Sequence, residues 1–286
     1  MLNDVQPERL GGWSRIPLRP QLGVVGLVAL LGVAAFYRPA APVAFVGLLF
    51  LYLVTRWQGR RSVALAALLP AAGILMWRSL PAPVADVAGA DCESLLSPPA
   101  VWRLLQAGLV LTLVGFLVLD RRASLRELGL RLGSRRVVLA SLAAVLVVAP
   151  LAVWAGSLVG GIFGQVFFGD FALDLGRPAA LAPALVFAAS NAVAEELAYR
   201  GAMRAWLTPG LGIVGANLAQ AVVFGLSHTG DDFVGAAAAI PTVAAMVLAG
   251  FVGGVIVRRT GSLLPVIAVH LAADIPLYYY WACRAG

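Results

Sequence analysis

The sequence predicts an all-α protein, a polytopic transmembrane helix bundle of about nine spans, with eight or ten as the bounds of the count. Three observations carry that prediction. The 286-residue chain is 61% hydrophobic and 12% charged, whereas soluble domains are closer to half apolar and a quarter charged. Apolar runs of the length needed to cross about 30 Å of hydrocarbon, or nearly so, recur along it. No polar stretch between them is long enough to fold as a separate soluble domain.

Taken in order, the runs are 21–37, 39–55, 62–77, 104–119, 137–163, 179–199, 211–227, 233–257 and 262–282. About twenty polar residues precede the first run and two more runs follow it at once, which favours an uncleaved span over a signal peptide. The first three are short and closely spaced. The segment "DCESLLSPPA" (91–100) separates them from a longer block. The chain thus divides into N-terminal accessory membrane helices, 1–98, and a core, 99–286, whose chemistry-bearing motifs fall between 190 and 280. A second break, "DRRASLRELGLRLGSRR" (120–136), sets Leu125, Leu128, Leu130 and Leu132 among arginines. It fits an interfacial amphipathic segment or a plain solvated loop. Gly250 and Gly254, four apart in the eighth run, allow close helix packing.

The net charge of +7 comes from 21 basic residues, every one an arginine. They concentrate in short loops, so they speak of topology rather than of nucleic acid, and the bilayer is the expected partner. Arg56, Arg60 and Arg61 lie after the second run. Arg121, Arg122, Arg126, Arg131, Arg135 and Arg136 follow the fourth, and Arg258 and Arg259 the eighth. The alternate loops hold Asp86, Asp91 and Glu93, then Asp170 and Asp174, then Asp231 and Asp232. The positive-inside rule then gives a cytoplasmic N-terminus and an outside C-terminus, in a bacterial inner membrane. Cys92 and Cys283 both fall on the outer side; a disulfide and two separate thiols are both open.

Charges within a membrane cost at least a few kcal/mol each and normally face the bundle interior. The candidates are few: Glu195, Glu196 and Arg200 in the sixth run, His228 in "FGLSH", and His270 and Asp274 in "HLAAD". The chain has two histidines and both are in this set. Glu196 and Arg200 are four apart and can neutralise each other on one helix face. Glu195, rotated about 100° from Glu196, must find a different partner, and His228 is the one expected. His270 and Asp274 are again four apart. Counting from the turns near Pro209–Gly212 and Thr260–Gly261 places Glu195, His228 and Asp274 all roughly 20–25 Å away, at one depth in the outer half, with His270 a turn nearer. Phe224 is expected to be core, touching the site at most.

No H-E-x-x-H zinc helix and no Gly-x-Gly-Asp aspartate motif occurs. A Ser227–His270 dyad is conceivable but leaves Glu195 unexplained. A carboxylate–histidine site that activates water fits better, with Glu195 beside His228 as general base and His270 and Asp274 facing the developing oxyanion. For that role Asp274 must be protonated, or orient His270 by accepting its N–H. The residues call for no cofactor, although the same Glu, His, His and Asp set is also compatible with a divalent metal. The rival is a non-catalytic scaffold or immunity protein, or a proton-coupled transporter, built on the same cluster; no inverted repeat is visible to support transport.

"EELAYR", "FGLSH" and "HLAAD" match, in order, the motifs E-E-x-x-x-R, F-x-x-x-H and H-x-x-x-N/D. In these the chain resembles the CAAX prenyl protease and bacteriocin-processing family, the type II CAAX endopeptidase-like intramembrane proteases, over about residues 120–286. The resemblance implies a metal-independent glutamic protease. Glu195 and His228 would activate water, His270 and Asp274 would stabilise the oxyanion, and Glu196, Arg200 and Phe224 would support them. Asp274 stands where prenyl-processing relatives generally have asparagine. The implied substrate is a peptide or membrane protein; the substrate's identity and the oligomeric state are not legible. Relatives that process prenylated proteins act on cytosolic substrates, in contrast to the outer-half depth counted here.

Overall fold

A computed structural model of the chain describes residues 18–81, 92–159, 177–229 and 236–283. Asp86, Asp91, Asp170, Asp174, Asp231 and Asp232, used in the topology argument, lie outside the described residues. Those that are described form helices and loops, with no strand among them. The elements are α1 (Leu18–Phe36), α2 (Ala41–Trp57), α3 (Val63–Ser79), α4 (Pro98–Arg121) and α5 (Arg135–Val159). They continue with α6 (Leu181–Glu196), a π-helical turn (Leu197–Met203), α7 (Arg204–Leu226), α8 (Ala236–Thr260) and α9 (Leu264–Ala282).

Four helical stretches among the described residues are long and apolar enough to cross a membrane: Arg38–Trp57, Pro98–Arg121, Pro178–Leu226 and Ile240–Thr260. Gln21–Phe36, Val63–Ser79 and Leu264–Tyr279 are shorter apolar helices. The bundle presents large apolar side chains outward, among them Val43 (74% exposed), Leu146 (76%) and Ile240 (82%), a surface suited to lipid.

Pro178–Leu226 joins two apolar runs in one continuous helical stretch, broken only at Gly212 (φ 70°, ψ 170°). That backbone conformation is open to glycine and strained for other residues. The chain reverses there. Tyr199 and Phe224, some 37 Å apart on a straight helix at about 1.5 Å per residue, bring their ring centroids to 5.3 Å. The expected turn at Pro209–Gly212 is thus a single-residue reversal, and it lays the second arm of α7 back along the π-helical turn.

The larger apolar core runs from Leu31 on α1 through Leu68 on α3 and Leu117 on α4 to Met203, Val223 and Val266, and a second, around Phe187 and Tyr278, lies at the Cys92–Cys283 end. The leading helices therefore share their core with the helices that carry the motifs. Where α7 crosses α8, polar groups are matched inside it. Gln220 Nε2 donates to Gly250 O at 2.8 Å, and Asn217 Nδ2 to Phe251 O at 3.0 Å. Approach this close needs the glycines: a Cβ on Gly254 would lie 1.7 Å from Asn217 Oδ1.

The segment 120–136 forms neither an amphipathic helix nor a plain solvated loop. Leu125 and Leu132 are exposed, but Leu128 is fully buried in the core. Gly129, at positive φ, lies against Leu263 and accepts its N–H at 2.9 Å. Arg131 Nε donates to Gly261 O at 2.6 Å, and Ser262 Oγ to Arg131 O at 2.5 Å. The segment is a docked plug against the α8–α9 turn. At the other end of the molecule Cys92 and Cys283 form a disulfide, with Cα atoms 5.3 Å apart. Tyr278 Oη, 2.7 Å from Ser97 Oγ, donates to Cys92 O at 2.8 Å and ties the same two strands of chain.

Gly254→Ala should destabilise the protein by about 1–3 kcal/mol, because the new methyl displaces Asn217 and leaves buried amide groups unmatched. Thermal unfolding in detergent micelles checks this; an unchanged midpoint would contradict the packing described.

Candidate active site

The site is assembled from α3, α6 with its π-helical turn, the end of α7, and α9. Helical spacing puts Asn191 and Glu195 one turn apart on α6. Glu195 has no exposed surface, and Asn191, Glu196, Arg200 and Asp274 are almost as deeply buried. The helix widens to π-type bonding directly after Glu196, a local feature frequent at functional sites.

His270 sits at the centre. Its Nδ1 is 2.8 Å from Glu196 Oε1, and its Nε2 is 3.5 Å from Asp274 Oδ2 and 3.9 Å from Glu195 Oε2. Since a carboxylate accepts, Nδ1 carries the proton given to Glu196. An imidazolium form presents a second N–H at Nε2. Asp274 Oδ2 also accepts from Asn191 Nδ2 at 2.8 Å. Arg200 Nη1 reaches Glu196 Oε1 at 3.2 Å, as expected from their spacing. Its guanidinium lies 3.9 Å from the centre of the Phe224 ring, a cation–π contact.

Phe224 does more than fill core. Its ring also meets those of His228 (centroids 4.7 Å apart) and His270 (6.3 Å). His228 Nδ1 is 2.8 Å from Phe224 O. A carbonyl can only accept, so the proton is on Nδ1 and Nε2 is the basic nitrogen. The electrostatic neighbours of Glu195 include His228, along with Arg78, His270 and Arg103.

The hydrogen-bonded partner of Glu195 Oε1 is Arg78, from the end of α3. Sequence reasoning expected His228 in that place and left Arg78 out. Arg78 Nη1 also donates to the Ser227 carbonyl at 3.1 Å and lies 3.4 Å from Ser227 Oγ. Ser227 Oγ in turn donates to Phe224 O at 2.7 Å. The hydroxyl is thus engaged locally, while the contacts of His270 described above go to carboxylates. A Ser227–His270 dyad has no support in this arrangement. Among the described residues, no three His, Cys, Asp or Glu side chains converge in a metal-holding group.

The sequence-predicted residues Glu195, Glu196, Arg200, His270 and Asp274 are joined in one cluster, with Phe224 and His228 packed on it. Arg78, Asn191 and Arg103 were missed. Arg103 is buried on α4, donates to Gln106 Oε1 at 2.7 Å, and its charge reaches both Glu195 and Asp274. One signal was available. Arg78 and Arg103 flank the loop assigned to the outer side, against the positive-inside alternation, and an arginine out of place in that pattern needs a buried carboxylate to explain it.

Arg78→Met leaves the buried Glu195 carboxylate without its bonded cation and should cost about 3–5 kcal/mol. Adding Glu195→Gln should recover a large part of the loss. A double-mutant cycle on unfolding in detergent measures the coupling; strictly additive effects would dissolve the pair.

Residues 177–276 match the family model described as type II CAAX prenyl endopeptidase Rce1-like. No curated protein and no solved structure matches the chain. The matched segment contains Glu195, Glu196, Arg200, His228, His270 and Asp274, and over that segment the chain is similar to the CAAX protease-like family.

Proposed function

We propose that the protein is an intramembrane endopeptidase of the glutamic type, which hydrolyses peptide bonds of membrane-associated proteins or peptides. The family suggests a CAAX-type protease, hence a hydrolase with a peptide or protein substrate in a membrane setting. The observation that carries the glutamic reading is the state of Glu195. Its Oε1 is held by Arg78, while its buried Oε2 accepts no hydrogen bond among the described residues. The basic nitrogen of the neighbouring His228 is Nε2.

In the proposed reaction, water lying between Glu195 and His228 gives up a proton as its oxygen attacks the scissile carbonyl. The oxyanion is met by the Nε2–H of His270, whose ring is fixed by Glu196 on its other side. Asp274 accepts from Asn191 and faces the same Nε2, which favours orienting His270 over direct donation to the oxyanion. Collapse of the tetrahedral intermediate breaks the C–N bond, and the abstracted proton passes to the leaving amine. Arg200 and Phe224 hold Glu196 and the two imidazoles in place.

We further infer a two-part organisation, accessory helices 1–98 and protease core 99–286, in about nine spans with the N-terminus cytoplasmic. The loop charges and the succession of apolar helices support it.

Glu195→Gln and His228→Ala should each reduce peptide cleavage by about 10²–10⁴-fold or more, measured with purified protein in detergent beside its unfolding midpoint. Undiminished cleavage by both variants would remove the mechanism.

A further inference from the structure

The two ends of the bundle differ chemically, and the site reaches the surface side of one of them through Arg78 and His228. At one end the arginine-rich loops meet. Arg56 Nε reaches Asp120 Oδ1 at 2.5 Å, Arg131 Nε donates to Gly261 O, and Leu263 N–H donates to Gly129 O. At the opposite end lie the end of α3, the start of α4 and the ends of α7 and α9, fastened by the Cys92–Cys283 disulfide and the Ser97–Tyr278–Cys92 contacts. Two cysteines 191 residues apart in sequence meet there. Such a bond forms and persists in an oxidising compartment. The disulfide and the arginines are independent signals, and both make this end non-cytoplasmic.

Two groups of the site stand at helix ends on the disulfide side, while His270, about 14 Å from Gly261 and about 20 Å from Cys283 along α9, lies deeper. Arg78 is the last residue but one of α3, and His228 stands two residues beyond the last residue of α7. Arg78 joins these two helix ends directly, through the Ser227 carbonyl. Measured from the reversal at Gly212, Glu195 and His228 are both about 24–26 Å along their helices at 1.5 Å per residue; α6 continues about 21 Å beyond Glu195 to Leu181 on the disulfide side, so Glu195 lies inside the bundle below the His228 helix end. Asp274 is about 20 Å from Gly261 on the same scale.

We propose that the site takes its substrates from the non-cytoplasmic side: exported peptides, or the outward-lying segments of membrane proteins. This rests on the protease reading for what happens at the site, and on the disulfide and helix ends for where. Cytosolic chain ends are then not its substrates unless they are first translocated.

Two measurements separate these halves. In right-side-out and inverted membrane vesicles, a membrane-impermeant maleimide is applied to Leu80→Cys, beside Arg78, and to Arg60→Cys, each in a Cys92→Ser/Cys283→Ser background. Leu80→Cys should label in right-side-out vesicles and Arg60→Cys in inverted ones; the reverse pattern overturns the proposal. Should that background fail to fold, the wild-type protein is treated with an impermeant phosphine reductant and run without further reduction. A mobility shift confined to right-side-out vesicles is expected. A shift confined to inverted vesicles, or no disulfide at all, overturns the assignment. In the second arm, a membrane-anchored reporter peptide is presented on either face of the vesicles, with the Glu195→Gln protein as control. Glu195-dependent cleavage should occur on the outer face alone, and cleavage confined to the inner face overturns the proposal. Absence of cleavage on both faces and in detergent defeats the protease reading instead, while the labelling still decides the sidedness.

Discussion

Everything in this protein is arranged around two adjacent carboxylates that must survive out of contact with water. Glu195 and Glu196 follow each other on one helix, so they point in directions about 100° apart and are met by different arginines. Each has its own, from its own direction. Arg200 comes from the next turn of the same chain, and Arg78 comes from a helix more than a hundred residues earlier. His270 adds a third N–H partner from α9, itself held by Asp274 and Asn191. An unpaired charge at such a position would cost several kcal/mol. The cluster is thus a condition for the helices to occupy these places at all.

In lipid, apolar surface gives helices little reason to prefer each other over the solvent. Association must come from close fit and matched polar groups, and both kinds of contact are present. The glycine-lined crossing of α7 and α8, with its two side-chain amides on backbone carbonyls, fixes the helix that presents Phe224 and His228. The reversal at Gly212 sets that helix against the π-helical turn that follows the glutamates. Phe224 then touches the Arg200 guanidinium and both imidazoles at once, so a single aromatic ring keeps three polar groups in register.

Much of this was legible in the sequence, for identifiable reasons. Apolar runs are long-range averages, and they located the helices well. The pairing of Glu196 with Arg200 and the neighbourhood of His270 and Asp274 follow from helical repeat alone. The shared depth of Glu195, His228 and Asp274 follows from the rise per residue. What was not legible is contact between distant segments. No periodicity connects Arg78 to Glu195 or Leu128 to the core, and the spacing of two cysteines cannot say whether they meet. The segment 120–136 misled because its leucines alternate with arginines as an interfacial helix would, whereas Leu128 is needed as a plug and the glycine after it as a turn. Span counting was limited too: a reversal made at one glycine leaves a continuous helical trace, and several apolar helices are shorter than a full crossing.

The π-helical turn at Leu197–Met203 has a consequence of a different kind. Bonding from i to i+5 takes up one residue more than an α-turn, so everything after it is rotated by about 100° relative to an unbroken helix. This segment works as a spacer whose length matters more than its composition. Removing one residue would restore an ordinary helix and leave the membrane-crossing length almost unchanged, yet it would turn the whole approach to Gly212 by about 100°. Arg200 apart, letters can therefore be exchanged here, subject to size, more readily than their number can be changed.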